Sequence, residues 1–184
     1  IVGFFAVSEI MLMLEHHSQD DFEMPKITRI YVTMKELLMC KWTILRSSVI
    51  GFIVGVLPGT GASIASAVSY TLEQKINDKE NTFGKGDMRG LAAPESSNNA
   101  CAGGALIPML TLGVPGSATT AVLLGALMLY NINPGPMLFT EQPMLIWGLI
   151  ASMYVGNIML LVINFPMVRV FTKILQVPYW LLVP

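Results

Sequence analysis

Two Pro-Gly breaks interrupt the apolar parts of the sequence, and small residues with hydroxyl groups follow each of them. The first break reads GVLPGTGAS at 55–63 and the second reads LGVPGSATT at 112–120. Proline has no amide hydrogen and glycine permits unusual dihedrals, so both pairs interrupt a helix. The helix that restarts after a break presents unpaired N–H groups and the positive end of its dipole. This pattern predicts a cradle for an anion such as a carboxylate.

The hydroxyl groups beside the breaks favour a binding site over a simple kink, which is the more common role of a single Pro-Gly pair in a membrane helix. Thr60 and Ser63 follow the first break, and Ser117, Thr119 and Thr120 follow the second. No Lys or Arg lies between 91 and 168 to offer an anion a competing positive charge. Two breaks of this kind are typical of the discontinuous helices of transporters.

Glu95 is the acidic residue of the apolar stretch that leads to the second break, and Asn98 and Asn99 follow it. An ionisable group at membrane depth is costly, so Glu95 is a candidate for binding a coupling cation or relaying a proton. The alternative is a charge in the first turn of a helix at the membrane interface, to which Pro94 and Glu95 are both suited. The two asparagines could bind a cation or a carboxylate, or join helices. No metal site is predicted, and a sodium site stays unassigned.

The composition favours an integral membrane protein with an all-α fold over a soluble one. The chain is 53% hydrophobic and 12% charged, with a mean hydropathy of +0.61, whereas soluble domains are about 25% charged. Between 91 and 168 the only formal charges are Glu95 and Glu141. A net charge of -1 with no basic patch excludes nucleic acid as an expected partner. Cys40 and Cys101 lack CxxC spacing and are predicted to be buried thiols.

Apolar and polar stretches divide the chain into four segments. Residues 1–46 are interpreted as the end of a membrane element followed by a polar loop, with helix-like spacing suited to an interfacial helix at 34–45. In that loop His16 and His17 are adjacent, which favours a solvated position over a metal site. Residues 47–72 are an apolar block with the first break at its centre, 73–90 are a cytoplasmic loop, and 91–184 hold discontinuous and continuous transmembrane helices.

The arms of the 47–72 block are about 11 residues each and reach roughly half the hydrocarbon thickness. Either one broken crossing or a re-entrant hairpin fits these lengths. Basic residues flank both ends of the block, and Lys and Arg favour the cytoplasmic side, so the hairpin is favoured. By the same rule the second break is predicted to interrupt a crossing, since 131–143 has no Lys or Arg and Arg169 and Lys173 return the chain to the inside.

The sequence resembles the large permease subunit of the tripartite tricarboxylate transporters, the TctA family. The matching stretches, in family order, are GVLPGTGASIASAVSYTLEQK, FGKGDMRGLAAPESSNNACAGGALIPMLTLGVPGSATTAVLLGAL, NPGPMLF and GNIMLLVINFP, and the opening FFAVSEI also fits. Arg89 is a departure, because the family usually has Glu before this glycine. The chain begins with Ile1 and, by this resemblance, is expected to be the second half of a longer protein built from two inverted repeats.

The resemblance implies a multi-pass permease of the bacterial inner membrane that is not an enzyme. It would take up citrate-like di- or tricarboxylates with a proton or sodium ion as the coupling ion and no cofactor. Its expected partners are a periplasmic solute-binding protein, a small membrane subunit and the lipid bilayer. Carried onto this sequence, the candidate ligand positions are Pro58, Gly59, Thr60, Gly61, Ser63, Asn98, Asn99, Pro115, Gly116, Ser117, Thr119 and Thr120.

Two other functions remain as alternatives. A membrane-embedded enzyme could use Glu95 with Asn98 and Asn99, but no His, Cys pair or second carboxylate accompanies Glu95 to complete acid-base or metal chemistry. A channel or a structural membrane subunit is the second alternative. Uptake of labelled citrate into vesicles with and without an imposed ion gradient would separate a transporter from a channel, because a channel would show no gradient-driven accumulation.

Overall fold

The computed structural model describes residues 32–175, and this part of the chain consists of helices and their connections. The helices are α1 (Met34–Val56), α2 (Gly61–Asn77), α3 (Met88–Leu112), α4 (Ala118–Leu129), α5 (Leu138–Glu141) and α6 (Pro143–Leu175). The predicted all-α class is confirmed for the described residues. The predictions for the first apolar segment and for His16 and His17 lie outside them.

Helix α1 begins much earlier than the predicted apolar block. Thr33 and Glu36 form a capping box, in which the Glu36 carboxylate accepts the Thr33 N–H at 2.6 Å and the Thr33 hydroxyl accepts the Glu36 N–H at 3.4 Å. The helix then runs 23 residues without interruption, about 35 Å, so the predicted boundary at 46/47 and the arm of about 11 residues are wrong. The sequence prediction began the apolar block after Arg46 because Lys41 and Arg46 are charged, but both residues lie within α1.

The first three helices pack into one bundle whose directions follow from their contacts. Thr43 of α1 bonds to Glu73 near the end of α2, and the chain turns between the two helices at 57–60, so α1 and α2 form an antiparallel hairpin. Ser97 of α3 donates to the carbonyl of Ala65, and Ser66 donates to the carbonyl of Pro94, which makes α2 and α3 antiparallel as well. Whether the hairpin re-enters a membrane stays a prediction.

Helices α1 and α3 run parallel with their backbones in direct contact. A Cβ on Gly51 would lie 2.6 Å from the Cα of Ser97, and a Cβ on Gly55 would lie 2.9 Å from the Cα of Cys101. Only glycine fits at these two positions, and their spacing is the GxxxG arrangement by which membrane helices approach closely. Cys40 and Cys101 are free and buried, as predicted.

The later helices pack around a separate apolar cluster at the end of α3. Its buried members are Met109, Leu110, Leu127, Leu138 and Ile146. The Gly135 N–H donates to the carbonyl of Leu110 at 2.9 Å, which joins the loop after α4 to α3. The cluster therefore fixes the start of α4 relative to α3, and with it the position of the second break.

Two helices within residues 32–175 are long and apolar enough to cross a membrane. They are α1 and the Pro143–Val168 part of α6, with mean hydropathies of 1.6 and 2.0. The side chains of that part of α6 are largely exposed, as expected for a helix that faces lipid or another protein. Helix α4 has 12 residues, which is shorter than the roughly 20 needed for a crossing.

Candidate functional site

The first break is held in shape by the hydroxyl of Thr60. Pro58 has no N–H to donate to the carbonyl of Val54 four residues earlier. The Thr60 hydroxyl occupies that position, 2.7 Å from the Val54 oxygen and 2.9 Å from the Leu57 oxygen. Gly59 and Gly61 have φ values of +79° and +71°, which a residue with a side chain rarely adopts, so the two glycines complete the turn into α2.

The N-terminus of α2 has no side-chain cap. Thr60 is the N-cap residue, but its hydroxyl points to the carbonyls of α1 and makes no capping bond. The first-turn N–H groups of Gly61, Ala62 and Ser63 have no acceptor within a helix. The Ser63 side chain is exposed. The positive end of the α2 dipole is therefore left without a hydroxyl or carboxylate of this turn to balance it.

The second break ends α3 and begins α4 through a different set of hydrogen bonds. Gly113 closes α3 in the left-handed conformation, with its N–H 3.1 Å from the Met109 carbonyl. Ser117 and Thr120 then form a capping box at α4, in which the Thr120 hydroxyl accepts the Ser117 N–H at 2.8 Å. The Ser117 hydroxyl accepts the Thr120 N–H at 3.2 Å. Both side chains are thus engaged in forming the helix end.

The two breaks lie side by side and line one open cleft of about 600 Å³. The lining residues are small or conformationally special, namely Gly59, Gly61, Ala62, Pro115, Gly116, Ser117, Ala118, Thr119 and Ala121. Gly116 of the second break packs closely against α3 and the last turn of α1, because a Cβ there would lie 3.1 Å from the Cβ of Ala105 and 3.4 Å from the Gly55 carbonyl oxygen. Residues more than 50 positions apart in sequence therefore meet at one surface.

The electrostatics of this cleft favour an anion. None of its lining residues carries a formal charge. The N-termini of α2 and α4 both open onto it, through Gly61 and Ala62 on one side and Ala118 and Thr119 on the other. Each N-terminus is equivalent to about half a positive charge, so the pair can balance one carboxylate with backbone N–H groups as donors.

The predicted ligand positions divide into three groups in the structure. The cleft is lined by Gly59, Gly61, Pro115, Gly116, Ser117 and Thr119, whereas Pro58, Thr60 and Thr120 shape the breaks behind it. Ser63 lies on α2 outside the lining. Glu95, Asn98 and Asn99 lie on the exposed side of α3, also outside it.

Glu95 does not begin a helix. Helix α3 starts at Met88, and Pro94 and Glu95 lie inside it, so their interpretation as first-turn residues is wrong. The first turn forms instead at Asp87, whose carboxylate caps the N–H of Arg89 at 2.9 Å. The side-chain N–H of Asn99 donates to the backbone carbonyl of Glu95 at 3.0 Å, and the side-chain oxygen of Asn99 takes no part in this bond. Within residues 32–175 no cluster of three metal-ligating side chains is found.

Sequence reasoning missed a charged cluster at the other end of the hairpin. The Glu73 carboxylate accepts bonds from the Thr43 hydroxyl at 2.6 Å, from the Arg46 guanidinium at 2.7 Å and from the Asn77 amide. Its side chain is 2% exposed. Glu73 follows Ala65 and Ser69 at intervals of four residues on the buried side of α2, and this spacing could have indicated its burial.

Comparison with known proteins gives the family. The model of the tripartite tricarboxylate transporter TctA family matches residues 1–184. The chain belongs to this family. An uncharacterized 52.8 kDa protein in the TAR-I ttuC' 3' region of Agrobacterium vitis is 38% identical to this TctA-family chain over 183 residues, which are 100% of the chain and 36% of that protein.

A second relative of this TctA-family chain comes from the same organism. An uncharacterized protein in the TAR-II ttuC' 3' region is 45% identical over 134 residues, 73% of the chain and 55% of that protein. The chain therefore spans about a third to a half of the length of these relatives. No solved structure matches it. The family is named for a tripartite tricarboxylate transporter, and the two apolar helices within residues 32–175 agree with a membrane protein.

Proposed function

We propose that this chain is part of the permease subunit of a binding-protein-dependent secondary transporter, and that the cleft between its two Pro-Gly breaks binds a carboxylate group of a citrate-like cargo. The observation that carries the proposal is the meeting of two helix N-termini at one uncharged cleft. Backbone N–H groups at such ends bind anions without needing a cation nearby. A proton or sodium gradient across the bacterial inner membrane drives the uptake.

The partners follow from the transporter type. A periplasmic solute-binding protein delivers the cargo, and a small membrane subunit completes the permease in the lipid bilayer. The name of the family supports three components. The coupling ion is assigned to the α3 side chains Glu95, Asn98 and Asn99, because a carboxylate and two amides within a long helix can bind a cation or carry a proton.

Uptake of labelled citrate into proteoliposomes tests the proposal, with the full-length chain and its partners reconstituted and an ion gradient imposed or absent. The expected result is accumulation only with the gradient, and its loss when Thr60, Ser117 and Thr119 are all replaced by alanine. Thr71→Val is the matched control, since the Thr71 hydroxyl bonds to the Ala67 carbonyl within α2, away from the cleft. Equilibration without accumulation would favour a channel, and unchanged citrate affinity in the triple variant would refute the site.

A further inference from the structure

Helix α3 contributes to both packed regions of the structure. Its first part lies in the bundle with α1 and α2, where the Ser97 hydroxyl donates to the Ala65 carbonyl at 2.9 Å. Its last turn supplies Met109 and Leu110 to the apolar cluster. The first break follows α1 on the bundle side, and the second break follows the end of α3 on the cluster side. A bend of α3 between the bundle and the cluster therefore changes the width of the cleft.

Residues 103–108 of α3, with the sequence GGALIP, join these two parts. Pro108 has no N–H to donate to the carbonyl of Gly104, so one hydrogen bond between successive turns is missing. Gly104 is needed for packing, because a Cβ there would lie 2.5 Å from the Phe52 carbonyl oxygen. A Cβ on Gly103 would meet no atom within 4 Å, so packing does not require this second glycine. Proline and pairs of glycine or serine mark the usual positions of sharp bends in helices.

Pro94 lies in the same helix but in a different setting. The Pro94 carbonyl accepts the Ser66 hydroxyl at 3.1 Å, which joins α3 to α2 at this proline. Beside Pro108, the Thr111 hydroxyl donates to the Ile107 carbonyl at 2.7 Å, a bond that stays within α3. A bend at Pro94 would thus break a bond to a neighbouring helix, whereas a bend at Pro108 leaves this local bond intact.

The second break meets the bundle through small apolar groups. Gly116 packs against Ala105 of α3, and a contact of this size buries little area, so separating it costs little free energy. The Thr60 bonds lie within the first break, and the bonds between Ser117 and Thr120 lie at the start of α4. Each break can therefore move as a unit and keep its own hydrogen bonds.

We propose that α3 bends within residues 103–108 and that this bend opens and closes the cleft between the two breaks. The bundle carries the N-terminus of α2, and the cluster carries the N-terminus of α4. A carboxylate that accepts N–H groups from both helix ends joins the two sides, so bound cargo favours the closed form. This effect of the cargo rests on the proposed function, whereas the bend itself does not.

Distances between paired spin labels, measured by pulsed electron paramagnetic resonance on the full-length chain in nanodiscs, test the bend. One pair is Val68→Cys on α2 with Val122→Cys on α4, exposed positions on opposite sides of residues 103–108 and outside the cleft lining. The control pair is Val49→Cys with Val68→Cys, both exposed and both in the bundle. All other cysteines are replaced by alanine. We expect two populated distances for the first pair and one for the control, and a shift toward the shorter distance with citrate.

Three substitutions locate the bend. Pro108→Ala restores the missing N–H, and Gly103→Ala stiffens the helix without a steric clash. We expect Pro108→Ala to give a single distance and to lower gradient-driven citrate uptake roughly tenfold, and Gly103→Ala to act in the same direction with a smaller effect. Pro94→Ala is the matched control and is expected to keep both native distances.

A single distance in the native chain, or two unchanged distances in Pro108→Ala, would overturn the bend. If Pro108→Ala does not fold, Gly103→Ala decides, and native populations in that variant would count against the proposal. The loss of one distance in Pro94→Ala would mean that removing either proline stiffens α3, which contradicts the assignment to residues 103–108. If the native chain shows two distances and citrate shifts neither population, the bend stands and the proposed carboxylate site fails.

Discussion

The two ends of the α1–α2 hairpin use opposite chemistry. At the break end, formed by 57–60 together with the second break at 113–117, every stabilising group is neutral: a threonine hydroxyl, a capping box and glycines that let the chain turn. At the far end, Thr43, Arg46 and Asn77 surround the buried carboxylate of Glu73. We refer to these as the break end and the charged end.

The difference indicates that the ion pair that stabilises the hairpin lies at one end and the candidate binding residues lie at the other. At the charged end, Glu73 accepts three sets of hydrogen bonds and is nearly fully buried, so no part of it is left for a ligand. At the break end, the hydroxyl that could have capped α2 points to α1 instead, and the positive helix end stays open to the cleft. Charge stabilises the structure where no ligand is needed, and uncompensated dipoles remain where an anion can bind.

The largest effect is expected from Arg46→Met, which removes the guanidinium and leaves the Glu73 carboxylate buried without its cation. Breaking a buried pair in this way costs about 3 kcal/mol of unfolding free energy, near the lower end of the usual range because Arg46 is 36% exposed. Helix content followed by circular dichroism during thermal unfolding measures the loss. Citrate affinity of the folded fraction should stay unchanged, because the charged end does not line the cleft.

Lys41→Met is the control for this prediction. Lys41 lies on the same helix with an exposed side chain over the ring of Trp42, 5.7 Å from its centre. The Lys41→Met substitution removes one positive charge from α1 and leaves the contacts of Glu73 intact, so little change in Tm is expected. Equal losses in the two variants would contradict a structural role for the charged end.

Gly116→Ala at the break end is expected to cost less stability than Arg46→Met and, unlike Arg46→Met, to weaken citrate binding. The added methyl group would lie 3.1 Å from the Cβ of Ala105 in α3 and 3.4 Å from the Gly55 carbonyl, so the second break and α3 must separate by a few tenths of an ångström. We expect about 1.5 kcal/mol of lost stability together with weaker citrate binding. Gly125→Ala on α4 is the control, since nothing lies within 4 Å of its added methyl group and alanine favours a helix. Unchanged citrate affinity in Gly116→Ala would show that the contact between the breaks does not shape the site.

The sequence predicted the break end better than the charged end, and the reason is physical. A break depends on local properties, the missing N–H of Pro58 and the backbone freedom of Gly59, so its position can be deduced from neighbouring residues. The two breaks line one cleft, and a shared binding site there stays a prediction. The role of the Thr60 hydroxyl required coordinates, because its bonds to the carbonyls of Val54 and Leu57 cannot be deduced from the residue type.

The charged end depends on contacts between distant residues. Because Arg46 is charged, it was interpreted as the polar flank of an apolar block, and this placed the start of the helix too late. Glu73 is 27 residues away in sequence and neutralises it, which allows α1 to run from Met34 to Val56. The same limit applies to Glu95, whose position inside α3 follows from the Asp87 cap and not from Pro94. A charge pattern alone does not say which charges are paired.

The smallest effect concerns Asp87, which caps α3 in the loop that follows the charged end. Hydrogen bonds from the Arg89 guanidinium, the shortest of which is 2.5 Å, hold the pKa of the Asp87 carboxyl well below its usual range, against the opposing effect of burial. A depressed pKa contributes stability above the unfolded value of about 3.9, and this stability is lost as the pH falls toward the folded value. Asp87→Asn keeps a capping side chain but removes the charge.

We therefore expect Asp87→Asn to be about 1 kcal/mol less stable than the native chain at pH 7, a small value because Arg89 is 28% exposed. The difference should shrink as the pH falls from about 4 to 3, because the native carboxylate then begins to lose its contribution while the amide does not titrate. Thermal unfolding of both proteins at pH 7, 4 and 3 measures it, and taking the difference cancels the titration of the other carboxylates. A difference that stays constant down to pH 3 would mean that Asp87 stabilises α3 through its cap alone, and that the ion pair adds nothing.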